Sequence, residues 1–242
     1  MIAPRALART AGLLYLIVAV GGGFNDVYLR SRIVKSGDAA VTADNIRASA
    51  MLFRVGFLSD VVVDTCWLLT AMALYLLFKQ VHQLVAAAMV TFVAVGAAIG
   101  GLNLLNQYTA LTVATSEHYG AGLGKAGADE LTLVFADMQH NGFVIGAMFF
   151  GLWLAPLGYL AIKSGYVPKA LGVFLIIGCF GYLADLFTYF LAPGLGTRIA
   201  PLFAAVGGIP ELVFVVWLLV KAGPVPTPDG RAPVAAVASP GS

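Results

Sequence analysis

Charge is what this 242-residue chain has least of: 14 Lys and Arg and 12 Asp and Glu leave 11% of its positions charged and a net charge of +2. Water-soluble domains carry about 25% charged residues. With 60% hydrophobic residues and a mean hydropathy of +0.90, the solvent for this chain is a lipid bilayer. No basic run or aromatic-basic ladder occurs, which excludes a phosphate-tracking surface and nucleic acid as a partner. Cysteine is nearly absent. Cys66 and Cys179 fall inside apolar segments with no partner spacing, so neither a disulfide framework nor a zinc motif is present. The three histidines, His82, His118 and His140, show no HxxxH or HExxH spacing, and no GxSxG elbow occurs. No internal repeat of solenoid length is visible.

What the chain has instead is apolar runs of about 20 residues, the length that crosses hydrocarbon as a helix. Six are read: Ala8 to Gly23, Phe57 to Phe78, Leu84 to Leu105, Gly142 to Ile162, Ala170 to Leu191 and Pro201 to Val220. The fold class expected is all-α, an integral membrane helical bundle of about six transmembrane helices, with residues 1–222 forming the membrane domain. Arg5 and Arg9 before Leu13 to Val20 look like a signal peptide, but no small-x-small cleavage site follows, so this run is read as a retained first span. Residues 223–242 are rich in Pro, Ala, Gly and Ser and read as a disordered cytoplasmic tail.

Short loops carry the topological signal. The tight turns at Lys79 to Gln83 and Lys163 to Lys169 concentrate positive charge, which sets the N-terminus and C-terminus on the cytoplasmic side. Two long connections, Arg30 to Ala50 and Ser116 to Glu130, then face outward. The first holds Thr42-Ala-Asp44-Asn45, a helix N-cap pattern leading the second helix into the bilayer past Arg47 and Arg54. The second, with Gly120, Gly122, Gly124 and Gly127, reads as a flexible loop. Pro168 and Pro201 read as span beginnings, whereas Pro210 interrupts the last span directly before Glu211. An inverted repeat would place an acid at the inner end of span five; Asp185 falls in the outer third, which argues against that architecture.

Polar residues inside these runs are costly, about 2.5 to 3.5 kcal/mol for an ionised group at the centre of a span. They recur nevertheless: Asn25, Asp26 and Arg30; Asp60 and Asp64; Asn103, Asn106 and Gln107; Asp137, His140 and Asn141; Asp185; Glu211. Alternating helix directions bring these groups to one face of the bilayer, toward the outer leaflet. Asp60 and Asp64 share a stripe at i,i+4, as do Asn103 and Gln107, while Tyr182, Asp185 and Tyr189 form another. The pairs Gly96-xxx-Gly100 and Gly142-xxx-Gly146 read as helix-packing motifs. The expected binding cluster is Arg54, Asp60, Asp64, Asn103, Asn106, His140, Asp185 and Glu211, with Arg54 paired to an acid of another helix and a surplus of acids left over. Asp60, Asp64, His140 and Asp185 are weak candidate ligands for a divalent metal.

Several of these stretches resemble one family. They are Ala8-Arg-Thr-Ala-Gly-Leu-Leu-Tyr15, Leu52-Phe-Arg-Val-Gly-Phe-Leu-Ser-Asp60, Asn103-Leu-Leu-Asn106, His140-Asn-Gly-Phe-Val-Ile-Gly146, Gly181-Tyr-Leu-Ala-Asp185 and Pro210-Glu211-Leu212. The chain is similar along nearly its whole length to the bacterial multi-pass membrane proteins called domain of unknown function 4386. That resemblance implies an integral protein of the bacterial cytoplasmic membrane and carries no activity. Three functions remain open: a polar pocket for a small molecule or cation, an intramembrane hydrolase or lipid-modifying enzyme using buried Asp, His and Glu, and a structural or regulatory membrane partner.

Overall fold

A computed structural model describes residues 4–221, and every regular element among them is helical. The expected tail at 223–242 lies outside the described residues. Helix α1 (Pro4–Gly23) runs without a break into a π-helical segment, Phe24–Arg30, and ends in the short α2 (Ser31–Ile33). Helix α3 (Ala39–Ala48) follows, then three long helices, α4 (Ala50–Phe78), α5 (Gln83–Thr115) and α6 (Glu117–Leu152). Helices α7 (Leu154–Ser164), α8 (Lys169–Leu191) and α9 (Pro193–Val220) complete the chain. Six helical stretches are long and apolar enough to cross a membrane: Arg5–Ile33, Ala50–Phe78, Gln83–Thr115, Glu117–Ser164, Lys169–Leu191 and Arg198–Val220. This is a multi-pass membrane architecture of the expected class.

The helices outlast the apolar runs, because backbone hydrogen bonding continues after hydropathy falls. The Gly-rich stretch read as a flexible loop is helical from Glu117 onward, interrupted at Gly124, whose φ of 71° and ψ of 161° only glycine adopts without strain. Helix α3 is capped by Asp38, which accepts from the Val41 amide at 3.0 Å, and not by Thr42 to Asn45. Thr42 is instead buried, with its hydroxyl donating to the Lys35 carbonyl and accepting from the Lys35 amide. Pro201 lies inside α9, which begins eight residues earlier with Pro193 in its first turn. Pro168 is the N-cap of α8, and Gly165 closes α7 in the left-handed conformation.

The chain forms two compact units. One takes the described residues of Leu14–Leu68 and Val93–Phe149, the other those of Met1–Leu13, Leu69–Phe92 and Phe150–Ser242. In the Leu14–Leu68 unit, the first span, α4, α5 and α6 close a ring of antiparallel neighbours. A Cβ at Gly56 would meet Leu29 at 2.7 Å, and one at Gly21 would strike Val63, so the first span lies tight against α4. Gly96 leaves room for Trp67 of α4 and Phe149 of α6 at once. One end of this ring is closed by α3, whose Ile46 packs with Leu29, Ile33, Phe53, Leu111 and Ala114. Arg47 fastens α3 there. It donates to the buried Asp129 of α6 at 2.9 Å, to Asp44 at 2.6 Å and to the Ala114 carbonyl at 3.3 Å.

The other unit packs α7, α8 and α9 through glycines. A Cβ at Gly158 would stand 2.5 Å from the Gly172 carbonyl oxygen, and one at Gly178 would stand 3.4 Å from the Gly207 Cα. Such faces bring backbones together where no hydrophobic force drives helix association in lipid.

Candidate functional site

The polar residues of the Leu14–Leu68 unit are held by a chain of hydrogen bonds that runs around the ring. It starts on the π-helical segment, where hydrogen bonds that span one residue more than in an α-helix shift which side chains face α4 and α6. Asn25 Nδ2 donates to Asp60 Oδ1 at 2.5 Å and to the Gly56 carbonyl at 3.3 Å. These two acceptors fix the orientation of the amide. Arg30, from the last residue of the same segment, donates to Gln139 Oε1 of α6 at 2.7 Å. The Gln139 carbonyl in turn accepts from Asn103 Nδ2 of α5 at 2.7 Å, and Asn106 Nδ2 donates to Asn103 Oδ1 at 3.0 Å. Gly142 is what admits Asn103, since a Cβ there would occupy the space of the amide.

Asp64 stands apart from this chain. It lies one turn beyond Asp60 on the same stripe of α4, and its carboxylate rests on Gly100 of α5, with Oδ2 2.7 Å from where a Cβ would be. Among the described residues no side-chain hydrogen bond or ion pair falls on it. The carboxylate borders a cavity of about 430 Å³ between α4 and α5, whose other walls include Phe57, Val61 and Leu68 on one side and Ala97, Ala98 and Gly101 on the other. Helix α4 begins at Ala50, seven residues before the apolar run at Phe57, which makes Asp64 its midpoint.

Of the remaining expected residues, His140 is half-buried on α6 beside Gln139. Gln107 is 6% exposed, with Oε1 buried and no hydrogen-bond partner among the described residues. Asp26, Asp137 and Asn141 are exposed. Arg54 is exposed as well, and no acid of the described residues forms an ion pair with it, so the expected Arg54 salt bridge is not made. Arg30, Arg47 and Lys125 make the cationic contacts instead.

Asp185 and Glu211 belong to the other unit. There Tyr182 of α8 donates its hydroxyl to Glu211 Oε1 at 2.8 Å, and Glu211 is 8% exposed. The ring of Tyr182 fits because Gly151 and Gly207 lack side chains: Cβ atoms there would approach it to 2.8 and 2.5 Å. Asp185 is half-buried one turn further along α8. No group of three His, Cys, Asp or Glu residues able to hold a metal occurs among the described residues. Neither cysteine is in a disulfide, and both are buried.

Sequence reasoning missed Gln139, which ties the first span to α5 through its side chain and its carbonyl. Its signal was present, a third polar residue beside His140 and Asn141, but it was hidden by their greater chemical interest. The π-helical segment left no comparable signal.

The chain belongs to the family described as Domain of unknown function (DUF4386), whose model matches residues 10–222. It is 35% identical over 77 residues to a protein of Archaeoglobus fulgidus named "Uncharacterized protein". That alignment takes in 32% of this chain and 44% of the relative, so the chain spans less than half the length of the archaeal protein. No solved structure matches.

Proposed function

We propose that this DUF4386 protein is a membrane-embedded binding protein for a cation or a cationic small molecule, with Asp64 as the residue that neutralises the bound charge. The observation that carries this reading is the contrast between two acids on one stripe. Asp60 is already held by Asn25, whereas Asp64 has no partner among the described residues and borders a cavity. A carboxylate inside a span is costly enough that it is found paired or functional. Asn103, Asn106 and His140 are carried on the same ring of helices as Asp60 and Asp64.

The test uses the full chain in nanodiscs and dicyclohexylcarbodiimide, a hydrophobic reagent for carboxyl groups, with labelling of Asp64 read by peptide mass spectrometry. Sodium, tetramethylammonium and tetraphenylphosphonium are added in turn. Saturable protection of Asp64 by at least one of them is expected; labelling that no cation alters contradicts the reading.

A second reading, a polar lock that only holds helices together, is favoured by the Arg30–Gln139–Asn103 chain and by the Tyr182–Glu211 pair, in which polar groups satisfy each other. It predicts that Asp64→Asn changes neither binding nor stability.

A further inference from the structure

Resting on that cation reading, we propose that the ligand is a lipophilic organic cation, one charge carried on an apolar body, and that it reaches Asp64 sideways from the lipid through the groove between α4 and α5. The groove has a cause in the sequence. Ala94, Ala97, Ala98 and Gly101 recur at i, i+3, i+4 and i+7, so they lie on one face of α5. Small residues usually draw a neighbouring helix close. Gly96 and Gly100 do that on this helix, against Trp67 and Asp64, but a Cβ at Gly101 would meet nothing within 4 Å. The small face therefore leaves volume instead of contact.

The volume, about 430 Å³, is that of an open groove along the surface of the bundle. Its rim is the outer surface of the bundle: among the lining residues Leu105 is 62% and Val61 42% exposed, the positions that face hydrocarbon in a membrane. Among the described residues, Asp64 is the only charged one of the lining. The other polar side chain there, Thr65, already donates its hydroxyl to the Val61 carbonyl.

This wall chemistry selects among cations. A bare divalent ion needs about six oxygen ligands, and the groove offers one carboxylate among aliphatic and aromatic walls. A small hydrated ion would have to shed water without replacing it. An organic cation of low hydration meets both demands, since its apolar body matches the walls and its charge meets Asp64. An anion of the same shape meets the same walls but an unfavourable charge.

The experiment is protein-dependent binding of tetraphenylphosphonium to the full chain in nanodiscs, with empty nanodiscs subtracted. Tetraphenylborate serves as the anion of equal shape, and tetramethylammonium as the small cation. Saturable binding of the phosphonium is expected, weakened about ten-fold or more by Asp64→Asn. Gly101→Phe, which places a ring in the groove from a position where a Cβ meets nothing within 4 Å, is expected to weaken it comparably. Tetraphenylborate is expected to bind at least ten-fold more weakly. The comparison of the two ions on the unaltered protein stands even if a variant fails to fold. Equal binding of phosphonium and borate overturns the proposal, since the groove then has no charge selection. Asp64-dependent binding of tetramethylammonium without the phosphonium also overturns it, yet leaves the cation reading standing. No Asp64-dependent binding of any cation overturns both.

Discussion

Glycine and polar side chains divide the packing differently in the two units. In α7, α8 and α9, glycines set backbone against backbone, as Gly158 does against the Gly172 carbonyl, and the principal polar contact within the spans is Tyr182 to Glu211. In the ring formed by the first span, α4, α5 and α6, glycines make room for polar side chains: Gly142 for Asn103, Gly100 for Asp64, Gly56 for Asn25. The same residue type thus serves mainly backbone contact in one region and mainly buried polarity in the other, although Gly151 and Gly207 admit Tyr182 in the first and Gly96 admits Trp67 and Phe149 in the second. Only the second use leaves a carboxylate beside open volume.

The sharpest way to break this contrast is to fill glycines of each kind. Gly158→Leu forces atoms into the Gly172 carbonyl and Ile176, and it should cost about 3 kcal/mol or more of unfolding free energy in a detergent titration. Gly101→Leu fills open space on an exposed helix face and should be neutral or stabilising by up to about 1 kcal/mol. Equal losses for both variants would mean that the groove is not open.

Asn103→Ala removes the donor to the Gln139 carbonyl and the acceptor of Asn106 together. The expected loss is about 1 to 2 kcal/mol, the upper range for polar contacts between membrane helices. Tyr182→Phe should cost less, about 0.6 kcal/mol, because Glu211 has further interactions to fall back on. A double-mutant cycle with Glu211→Gln isolates that pair, and a larger cost for Tyr182→Phe than for Asn103→Ala would reverse the contrast drawn above.

The smallest effect is at α3. Hydrogen bonding from Arg47 holds the Asp44 carboxyl below its ordinary value of 3.8, and the same contact raises the Arg47 guanidinium. Asp44 therefore favours the folded state above the ordinary carboxylate range and loses that contribution as pH falls through its depressed folded value. The stability difference between the unaltered protein and Asp44→Asn should be small, constant near neutrality, and vanish in acid. A difference that grows on acidification contradicts the assignment.

Much of this molecule can be read from residues alone, and the parts that cannot have physical reasons. Long apolar runs demand helices in lipid, so six helices long enough to span follow from hydropathy. The ends of the spans do not, because a helix such as Glu117–Leu152 continues by hydrogen bonding through Asp129, Glu130 and Asp137, where hydropathy no longer reports it. The roles of Asp60 and Asp64 are likewise invisible in sequence, as each is an acid on the same stripe. What separates them is Asn25, carried to Asp60 by a π-helical segment that composition does not announce. Arg54 misled for the opposite reason: it is the one arginine on α4, but its position on the helix directs it outward.

Equilibrium binding of labelled tetraphenylphosphonium to the unaltered protein and to Asp64→Asn in matched nanodiscs tests the central claim, that the carboxylate without a partner is a site for a lipophilic cation. The account predicts a saturable component in the unaltered protein that falls about ten-fold or more in affinity in the variant. Identical isotherms for the two proteins would contradict it.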